Sequence, residues 1–427
     1  MSWQTVPLRK LITPNNKRNR PDLPLLSVVR DKGVIKRKLD KSDNHNVIPE
    51  DLSNYKVVSN GQFVINKMKA WQGSCGVSQY EGIVSPAYYV FDLDIDNPRF
   101  FNYSIRSRAF IDEFNRISSG IRVDQWDLSL LKLKYIHFPL PPREEQDQIV
   151  LYLDWKVSQI NKLINTKLRQ IELLGEQKRV VLNSTVIKGL ISSPTMKDSG
   201  FAWLGKIPDA WHVRQFSKIA TVCSNLVSPQ DYFELPQVSP ANIEKDSGRL
   251  LPCETVREAG IISSNHRFYK GQILYSKIRP LLNKVTIAPF DGLCSADMYP
   301  VETKLATKYL VYFMLSDTFL SQLTMTENRV KMPKINQDEL SSILVLCPPD
   351  DEQRAIIVHL DEQCERIDKI IGKLNDEIAL FAEYRTRLIS DVVTGKLDVR
   401  GVVVPEYEGV EEVAVDEDVE DKEEMEG

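Results

Sequence analysis

The chain has 427 residues, of which 42% are hydrophobic and 27% are charged. One ordinary hydrophobic core does not serve a chain of this length, so two or three domains are expected. No apolar run reaches the ~18–20 residues that cross a bilayer, and the first residues lack a signal-peptide core, so we expect a cytoplasmic protein without a membrane partner. Six scattered cysteines without a CxxC pair argue against a zinc site and a disulfide framework.

The net charge of −4 conceals an uneven distribution. Residues 406–427 contain twelve Asp and Glu and one lysine, which leaves +7 on the remaining residues. This basic excess falls mainly within residues 1–140 and is compatible with a nucleic-acid partner. The C-terminal stretch has almost no large apolar side chains, so we predict an acidic, disordered tail over residues 399–427.

Residues 1–140 are predicted to form the first of two mixed α/β globules. GQFVIN and YYVFDL are short β-branched or aromatic runs bounded by turn residues, which indicates strands. The later segment RFFNYSIRSRAFIDEFNRI has the apolar spacing of an amphipathic helix. We interpret the basic stretch NNKRNR, which has no apolar residue, as an exposed loop.

Residues 141–190 are predicted to form a long helix that begins at a proline pair. In PPREEQ the prolines stand where a missing N–H costs nothing, and acids follow at the positive end of the helix dipole. Lys188 and Gly189 mark the C-terminal end. Apolar residues recur in steps of three and four, which defines a narrow stripe as in a coiled coil. The stripe includes Ile149, Leu153, Ile160, Ile164, Ile171 and Leu174.

The same order follows in the second half of the chain. After a junction at residues 191–210, residues 211–346 contain the strand-like runs GQILYS and VTIAPF and the helical segment TKYLVYFMLSDTFLSQL. Residues 347–398 then repeat the long helix. One helix cannot bury such a stripe alone, so we predict that the two pack against each other as an antiparallel coiled coil. The second stripe includes Ile356, Leu360, Ile367, Ile371, Ile378 and Phe381.

The two halves are copies of each other. PPREEQDQIVLYLD from Pro141 matches PPDDEQRAIIVHLD from Pro348, 207 positions later. GQFVINKMK from Gly61 matches GQILYSKIR from Gly271, so the duplication includes the globules. We therefore predict two α/β globules separated by two long antiparallel helices, with an internal pseudo-two-fold duplication.

Each globule repeats a basic, partly aromatic loop. NKMKAWQG corresponds to SKIRPLLNK, and another basic stretch precedes each proline pair. Lysine and arginine bind phosphates, and arginine and asparagine can read base edges. A single loop could be solvated surface charge, and Trp71 could belong to the core, but the recurrence favours a DNA partner. The candidate DNA-binding residues are Lys17, Arg18, Arg20, Lys67, Lys69, Trp71, Arg122, Lys277, Arg279, Asn283, Lys284, Arg329, Lys331 and Lys334.

Motifs for chemistry are absent from the sequence. There is no GxxxxGK[ST], no GxGxxG after a strand, no NPPF-type methyltransferase tetrapeptide and no HExxH. The five histidines show no metal-ligand spacing. We therefore predict a chain without a catalytic or metal site.

The segment MKDSGFAWLGKIPDAWHV, from Met196 to Val213, resembles the junction before the second target-recognition domain in specificity (S) subunits of type I restriction–modification enzymes. The helix openings PLPPREEQ and CPPDDEQ and the ending VVTGKLDV are similar to that family's repeated regions. The resemblance extends from residue 1 to about residue 400. The tail after Val404 lies outside it.

This resemblance implies a non-catalytic subunit that binds double-stranded DNA, with each globule reading one half of a bipartite, asymmetric site. The helices would set the spacer between the half-sites and dock two methyltransferase subunits, and restriction/translocase subunits would complete the complex. S-adenosylmethionine, ATP and Mg²⁺ are expected in those partner subunits and not in this chain. The complex would methylate adenine and act in phage defence.

Two alternatives remain open at the level of sequence. A specificity subunit that serves a methyltransferase without a nuclease would show the same features. A coiled-coil scaffold with two protein-binding heads and no DNA role would explain the helices and the modest basicity. The scaffold hypothesis does not explain the paired basic loops or the junction motif.

Overall fold

A computed structural model describes residues 3–30, 32–37, 51–120, 126–190, 195–201, 203–326 and 334–411. The chain divides into two compact units: unit 1 is Met1–Arg169 with Leu374–Gly427, and unit 2 is Gln170–Lys373. Each unit therefore combines one globule with parts of both long helices.

Unit 1 contains a four-stranded antiparallel sheet in the order β2-β9-β6-β7 and four two-stranded pairs, β1 with β12, β3 with β4, β5 with β8 and β10 with β11, among its described residues. Its strands are β1 (Gln4–Pro7), β2 (Ile12–Pro14), β3 (Leu26–Val29), β4 (Gly33–Lys36), β5 (Lys56–Val58), β6 (Phe63–Asn66), β7 (Cys75–Val77), β8 (Gly82–Val84), β9 (Tyr88–Leu93), β10 (Ser118–Ser119), β11 (Asp127–Leu128) and β12 (His137–Leu140). Its helices are α1 (Pro98–Ile105), α2 (Arg108–Ile117), α3 (Leu130–Leu133) and the first part of α4 (Arg143–Lys188), with 3₁₀ turns at Leu8–Lys10 and Ala70–Gln72.

Among its described residues, unit 2 contains two four-stranded sheets, β16-β23-β20-β21 and β17-β19-β22-β18, and the pairs β13 with β14 and β15 with β24. Its strands are β13 (Met196–Asp198), β14 (Lys206–Pro208), β15 (His212–Gln215), β16 (Ala220–Val222), β17 (Leu226–Val227), β18 (Gln237–Val238), β19 (Asn265–Phe268), β20 (Ile273–Ser276), β21 (Val285–Ile287), β22 (Gly292–Cys294), β23 (Met298–Thr303) and β24 (Leu344–Cys347). Its helices are α5 (Phe216–Ile219), α6 (Thr307–Met314), α7 (Asp317–Thr326), α8 (Gln337–Ser342) and the first part of α9 (Asp350–Val393), with 3₁₀ turns at Pro229–Tyr232, Pro240–Asn242 and Pro280–Leu282.

The sheet topology confirms the duplication. The order β2-β9-β6-β7 in unit 1 corresponds strand for strand to β16-β23-β20-β21 in unit 2. The register is also repeated, because Phe63 pairs with Phe91 and Ile273 pairs with Val301, each 210 positions further along the chain. The predicted strands GQFVIN, YYVFDL, GQILYS and VTIAPF coincide with β6, β9, β20 and β21.

Aromatic side chains fill the core of each unit. In unit 1 the rings of Phe63 and Phe91 stack with centroids 5.7 Å apart, and Phe101 of α1 meets Phe138 of β12 at 5.1 Å. In unit 2 Tyr275 of β20 lies edge-on to a ring of α7. These rings are fully buried, so the sheet and the short helices share one core in each unit.

Within each unit the two long helices run antiparallel, as predicted. In unit 1 Lys167 forms an ion pair with Glu377, and Arg385 donates a 2.7 Å hydrogen bond to Asn161. Later positions of α4 therefore meet earlier positions of α9. In unit 2 the corresponding ion pair joins Lys178 to an aspartate of α9 at 2.8 Å.

The predicted packing stripe is covered along both helices. Residues near the start of each helix also contact the globule of the same unit and are buried: Ile149, Leu153, Ile160, Ile164, Ile356, Leu360 and Ile367. Those further along are half-buried: Ile171, Leu174, Ile371, Ile378 and Phe381. A pair of helices covers only the facing side of each stripe, which explains the difference.

The repeated proline–glutamine motif has a structural role. Gln146 and Gln353 are almost completely buried, and each Nε2 donates at 2.9 Å to the carbonyl of the first proline of its own motif. The carbonyl of the second proline accepts from the backbone N–H of the same glutamine. The glutamine therefore ties the incoming strand to the first helical turn and satisfies a buried carbonyl.

A glycine at the end of each long helix allows a tryptophan to pack closely. A Cβ atom added at Gly189 (φ +71°) would clash, because it would lie 2.5 Å from Glu352 Oε1 and 3.1 Å from the ring of Trp211. Gly395 (φ +72°) packs in the same way under Trp3. Both positions require the left-handed backbone that glycine adopts at low cost.

An aspartate on each long helix holds the globule of the same unit. Asp154 of α4 accepts hydrogen bonds from Arg99 at 2.8 Å and Tyr103 at 2.9 Å, both on α1. Asp361 of α9 accepts the corresponding bond from Tyr312 of α6. These contacts fix the short helices against the long ones in both copies.

Each segment predicted as one amphipathic helix forms two helices instead. The first divides into α1 and α2 at residues 106–107, and the second divides into α6 and α7 at residues 315–316. A buried serine, Ser107 or Ser316, stands at each break, and its carbonyl or side chain caps the adjoining turn. Apolar periodicity does not reveal such a break because the stripe continues on both sides of it.

The prediction of a disordered tail is wrong for residues 399–411. This segment, the C-terminal strap, lies along α4 in unit 1. Ser158 Oγ donates to the carbonyl of Glu408 at 2.9 Å, and Asn161 Nδ2 donates to the carbonyl of Val410 at 3.1 Å. The half-buried Val402 and Val404 pack against the core. Side chains of α4 thus form hydrogen bonds with the backbone of the strap, which composition cannot reveal. Residues 412–427 lie outside the described residues.

Candidate nucleic-acid interface

Two loops at equivalent positions contain much of the predicted basic surface. Loop 1 (residues 67–74) connects β6 to β7, and loop 2 (residues 277–284) connects β20 to β21. Each loop contains a 3₁₀ turn. The loops therefore follow the same paired strands in both sheets.

The first lysine of each loop anchors it in the same way. The carbonyl of Lys67 accepts a 2.9 Å hydrogen bond from the backbone of Leu128, and the carbonyl of Lys277 accepts one of the same length from Ile335. These bonds bring the segment before α3 beside loop 1 and the segment before α8 beside loop 2. Asp127 and Lys334 consequently occupy matching places.

Loop 2 contains two non-glycine residues in the left-handed region. Asn283 (φ +48°) ends its 3₁₀ turn where loop 1 has Gly73 (φ +95°). Asparagine tolerates this backbone, whereas Arg279 (φ +46°), at the start of the turn, adopts it less readily. Asn283 is fully buried, so its side chain is not accessible to DNA in this structure.

The two loop lysines have different partners. Lys67 Nζ forms an ion pair with Asp127 Oδ2 at 2.8 Å. Lys277 Nζ lies 5.2 Å from the ring centroid of Tyr299 and makes no ion pair within the described residues. Asp297, whose backbone carbonyl accepts a hydrogen bond from the Lys277 N–H, pairs through its carboxylate with Lys334 at 3.1 Å.

A buried basic side chain lies behind each loop lysine. Lys56 on β5 and His266 on β19 are 210 positions apart and are about 5% exposed. Lys56 Nζ donates to the carbonyl of Tyr88 at 2.6 Å; burial, then the charges of Arg18 and Lys67, lower its pKa. Burial, and then the charge of the nearby loop lysine, lower the pKa of His266 from its ordinary value of 6.5, so the imidazole is neutral at pH 7.

The remaining candidates divide into free and tied side chains. Lys17, Arg18, Lys69 and Arg279 are exposed. The others interact with the protein: Arg20 pairs with Asp22 at 2.7 Å, Lys284 Nζ donates to the carbonyl of Pro240 at 2.8 Å, and the half-buried Trp71 donates to Met68 and contacts the ring of Trp126 at 5.4 Å. Arg122, Arg329 and Lys331 lie outside the described residues.

Several residues of this region were not singled out from the sequence. They are Lys56, Asp127, His266, Asp297 and Tyr299. In the sequence, an aspartate near basic stretches, such as Asp127 or Asp297, is indistinguishable from an ordinary charged surface residue. The aligned duplication offers one signal, because Lys56 and His266 are both basic at one position, as are Lys67 and Lys277.

Other kinds of site are not found in the described part of the chain. Among those residues no group of three His, Cys, Asp or Glu could hold a metal ion. No helix within them is long and apolar enough to cross a membrane.

Known proteins share both the sequence and the fold. Residues 238–380 match the Methylase_S family, the type I restriction modification DNA specificity domain. The specificity subunit of the type I restriction enzyme EcoDI from Escherichia coli is 31% identical over 348 residues, which cover 77% of each chain. The chain belongs to the family of type I restriction enzyme specificity subunits.

More distant relatives of this specificity subunit agree. The specificity subunit of the type I restriction enzyme MjaVIII from Methanocaldococcus jannaschii is 22% identical over 376 residues, which cover 82% of this chain and 84% of the relative. A solved chain from work on complex assembly and conformational transition of the type I R-M system superimposes with a TM-score of 0.65 at 14% identity, covering 92% of this chain and 98% of that chain. The fold is therefore shared, and the protein is a non-catalytic subunit of a restriction–modification enzyme.

Proposed function

We propose that this specificity subunit binds double-stranded DNA and that each unit reads one half of a bipartite, asymmetric site. The observation that carries the proposal is the pair of basic loops, which occupy the same place in both units but differ in side chains. Because the two loops follow equivalent strands, each unit presents the same kind of surface to DNA. Different side chains allow each surface to read a different half-site.

The exposed cations supply the electrostatic part of binding. In unit 1 these are Lys17, Arg18 and Lys69, and in unit 2 the exposed Arg279 and half-buried Lys277 stand at the start of loop 2. Phosphate contacts position a protein on the duplex, and base contacts then discriminate sequences. Arg279 is our candidate base reader, because it is exposed and arginine can form two hydrogen bonds to a guanine edge.

The long helices support the proposed spacer and docking roles. α4 has 46 residues and α9 has 44. At 1.5 Å per residue each is roughly 65–70 Å long, which exceeds the ~34–36 Å of one duplex turn. Their outer faces expose apolar side chains that fit two methyltransferase subunits: Leu151, Leu163, Leu173, Val180, Val358, Ile370, Leu380 and Tyr384.

The partner subunits supply the chemistry in this proposal. Two methyltransferase subunits bind S-adenosylmethionine, and restriction/translocase subunits use ATP and Mg²⁺. The complex acts in the cytoplasm on host and foreign DNA. This chain contributes sequence recognition.

Methylation mapping tests the function directly. The tagged chain is purified from its native host, and the host genome is mapped for methylation with and without the gene. We expect a methyltransferase subunit to co-purify and methylation at one bipartite motif to disappear without the gene. An unchanged methylome without a bound methyltransferase would contradict the proposal.

A matched deletion tests the spacer role. The ion pair between Lys167 and Glu377 sets the helix register, so residues 163–169 of α4 face residues 376–382 of α9. Removing both heptads preserves that register and shortens the pair by roughly 10 Å. We expect a spacer about three base pairs shorter in a selected-site library; an unaltered spacer would refute the role. Deleting residues 163–169 alone is the control and should impair folding.

A further inference from the structure

The two units distribute their charges differently around the same backbone. Immediately before the residue whose N–H anchors the loop, unit 1 has Asp127 and unit 2 has Lys334. The carboxylate of unit 1 lies 2.8 Å from Lys67 Nζ. In unit 2 the nearby carboxylate, Asp297, is paired with Lys334 instead, which leaves Lys277 beside the ring of a tyrosine.

On the basis of the DNA-binding function proposed above, we propose that Lys277 is a phosphate contact of unit 2, whereas Asp127 neutralises the equivalent Lys67 and removes that contact from unit 1. The ligand class is the phosphodiester backbone of double-stranded DNA. The two units would therefore share a loop geometry but bind the DNA backbone unequally.

The net charge at each loop lysine supports this assignment. A phosphate that approaches Lys67 also approaches the Asp127 carboxylate, whose charge has the same sign, so attraction and repulsion largely cancel. A neutral pair also releases no net counterion from DNA. Lys277 has no carboxylate partner within the described residues and keeps its full charge for a phosphate.

The buried bases explain why unit 1 contains a counter-ion. Three cations, Arg18, Lys56 and Lys67, lie close enough together that the first and third lower the pKa of the second. Asp127 relieves that repulsion. In unit 2 His266 replaces the buried lysine and is neutral at pH 7, so this buried position adds no positive charge beside Lys277.

Salt-dependent binding of the complex with its methyltransferase subunits tests the proposal. The duplex contains the motif found by methylation mapping, and Kd is measured by fluorescence anisotropy between 0.05 and 0.2 M NaCl. One phosphate contact adds about 0.9 to the log–log slope, which is about a 3.5-fold effect over this fourfold range of salt. Lys277→Ala should lower the slope by about 0.9. Removing both charges of the unit 1 pair, in the double variant Lys67→Ala/Asp127→Asn, should leave the slope unchanged.

Removing the negative charge of Asp127 should change the salt slope in the opposite direction, to a steeper dependence. Asp127→Asn should free Lys67, raise the slope by about 0.9 and tighten binding, and Lys67→Ala in that background should cancel the gain. The control is Lys270→Ala, because Lys270 is exposed at the far end of β20 and should not affect the slope. An equal loss of slope in Lys277→Ala and in the double variant Lys67→Ala/Asp127→Asn, or an unchanged slope in Lys277→Ala or in Asp127→Asn, would overturn the inference. If the wild-type complex does not bind the duplex at any of these salt concentrations, the proposed DNA-binding function itself is overturned.

Discussion

The contact between Asp154 and α1 makes a quantitative prediction about how the long helix holds its globule. Asp154→Ala removes the acceptor of Tyr103 Oη and of Arg99 Nη2. Tyr103 is half-buried and loses a bond to a charged group, which is worth about 1.5–3 kcal/mol. Arg99 is mostly exposed, so its ion pair adds only about 0–1 kcal/mol. The expected loss in the free energy of unfolding is roughly 2–3 kcal/mol.

The amide variant separates the hydrogen bond from the charge. Burial raises the pKa of Asp154 despite its two donors, so the ionised carboxyl is costly to bury. Asp154→Asn retains an oxygen that accepts from Tyr103 and removes that cost. We therefore expect a loss below about 1 kcal/mol for this variant.

Urea unfolding followed by helical circular dichroism measures these differences. A double-mutant cycle with Tyr103→Phe isolates the bond between the tyrosine and the aspartate, and the expected coupling is about 1.5–2 kcal/mol. If Asp154→Ala unfolds within about 0.5 kcal/mol of the wild type, or if the alanine and asparagine variants are equally destabilised, the reasoning about this contact is refuted.

Three other predictions follow from the structure. The pKa of His266 is lower in the folded chain than in the unfolded chain, so the unfolded chain binds more protons as the pH falls below 6.5. The free energy of unfolding of the wild type should therefore decrease as the pH falls from 6.5 towards the folded-state pKa of His266. Urea unfolding from pH 5 to 7.5 should show a weaker pH dependence for His266→Gln, and identical pH profiles for the two proteins would contradict this prediction. Truncation after residue 398 should reduce the free energy of unfolding by roughly 2–3 kcal/mol, because Val402, Val404 and the hydrogen bonds of the strap are lost. Truncation after residue 411 is the control and should leave the free energy of unfolding unchanged. If the two truncations lower the stability equally, the strap has no stabilising role. Gly189→Ala should destabilise the protein by at least about 1 kcal/mol, because the backbone has a positive φ and the new Cβ would clash with Glu352 and Trp211. Gly175→Ala lies inside α4 with open space around it and should stabilise the protein by up to about 1 kcal/mol. Thermal unfolding of both variants measures these effects, and a higher melting temperature for Gly189→Ala would contradict the argument.

The sequence by itself determined the repeated architecture. Hydrophobic spacing from Ile149 and from Ile356 specifies two long helices, because a 3.6-residue period is a local property of the chain. The short β-branched runs specify strands for the same reason. The repeated motifs then identified two copies of one plan and the family to which the chain belongs.

Only the tertiary structure decided which charges are free. Lys67 and Lys277 are equivalent in sequence, yet one meets Asp127, which is 60 positions away, and the other does not. Asn283 was a plausible base reader until its burial was known. The strap was acidic by composition, yet polar side chains of α4 bind its backbone. Ion pairing, burial and backbone capture depend on residues that the fold brings together from distant positions, so no local pattern in the sequence can specify them.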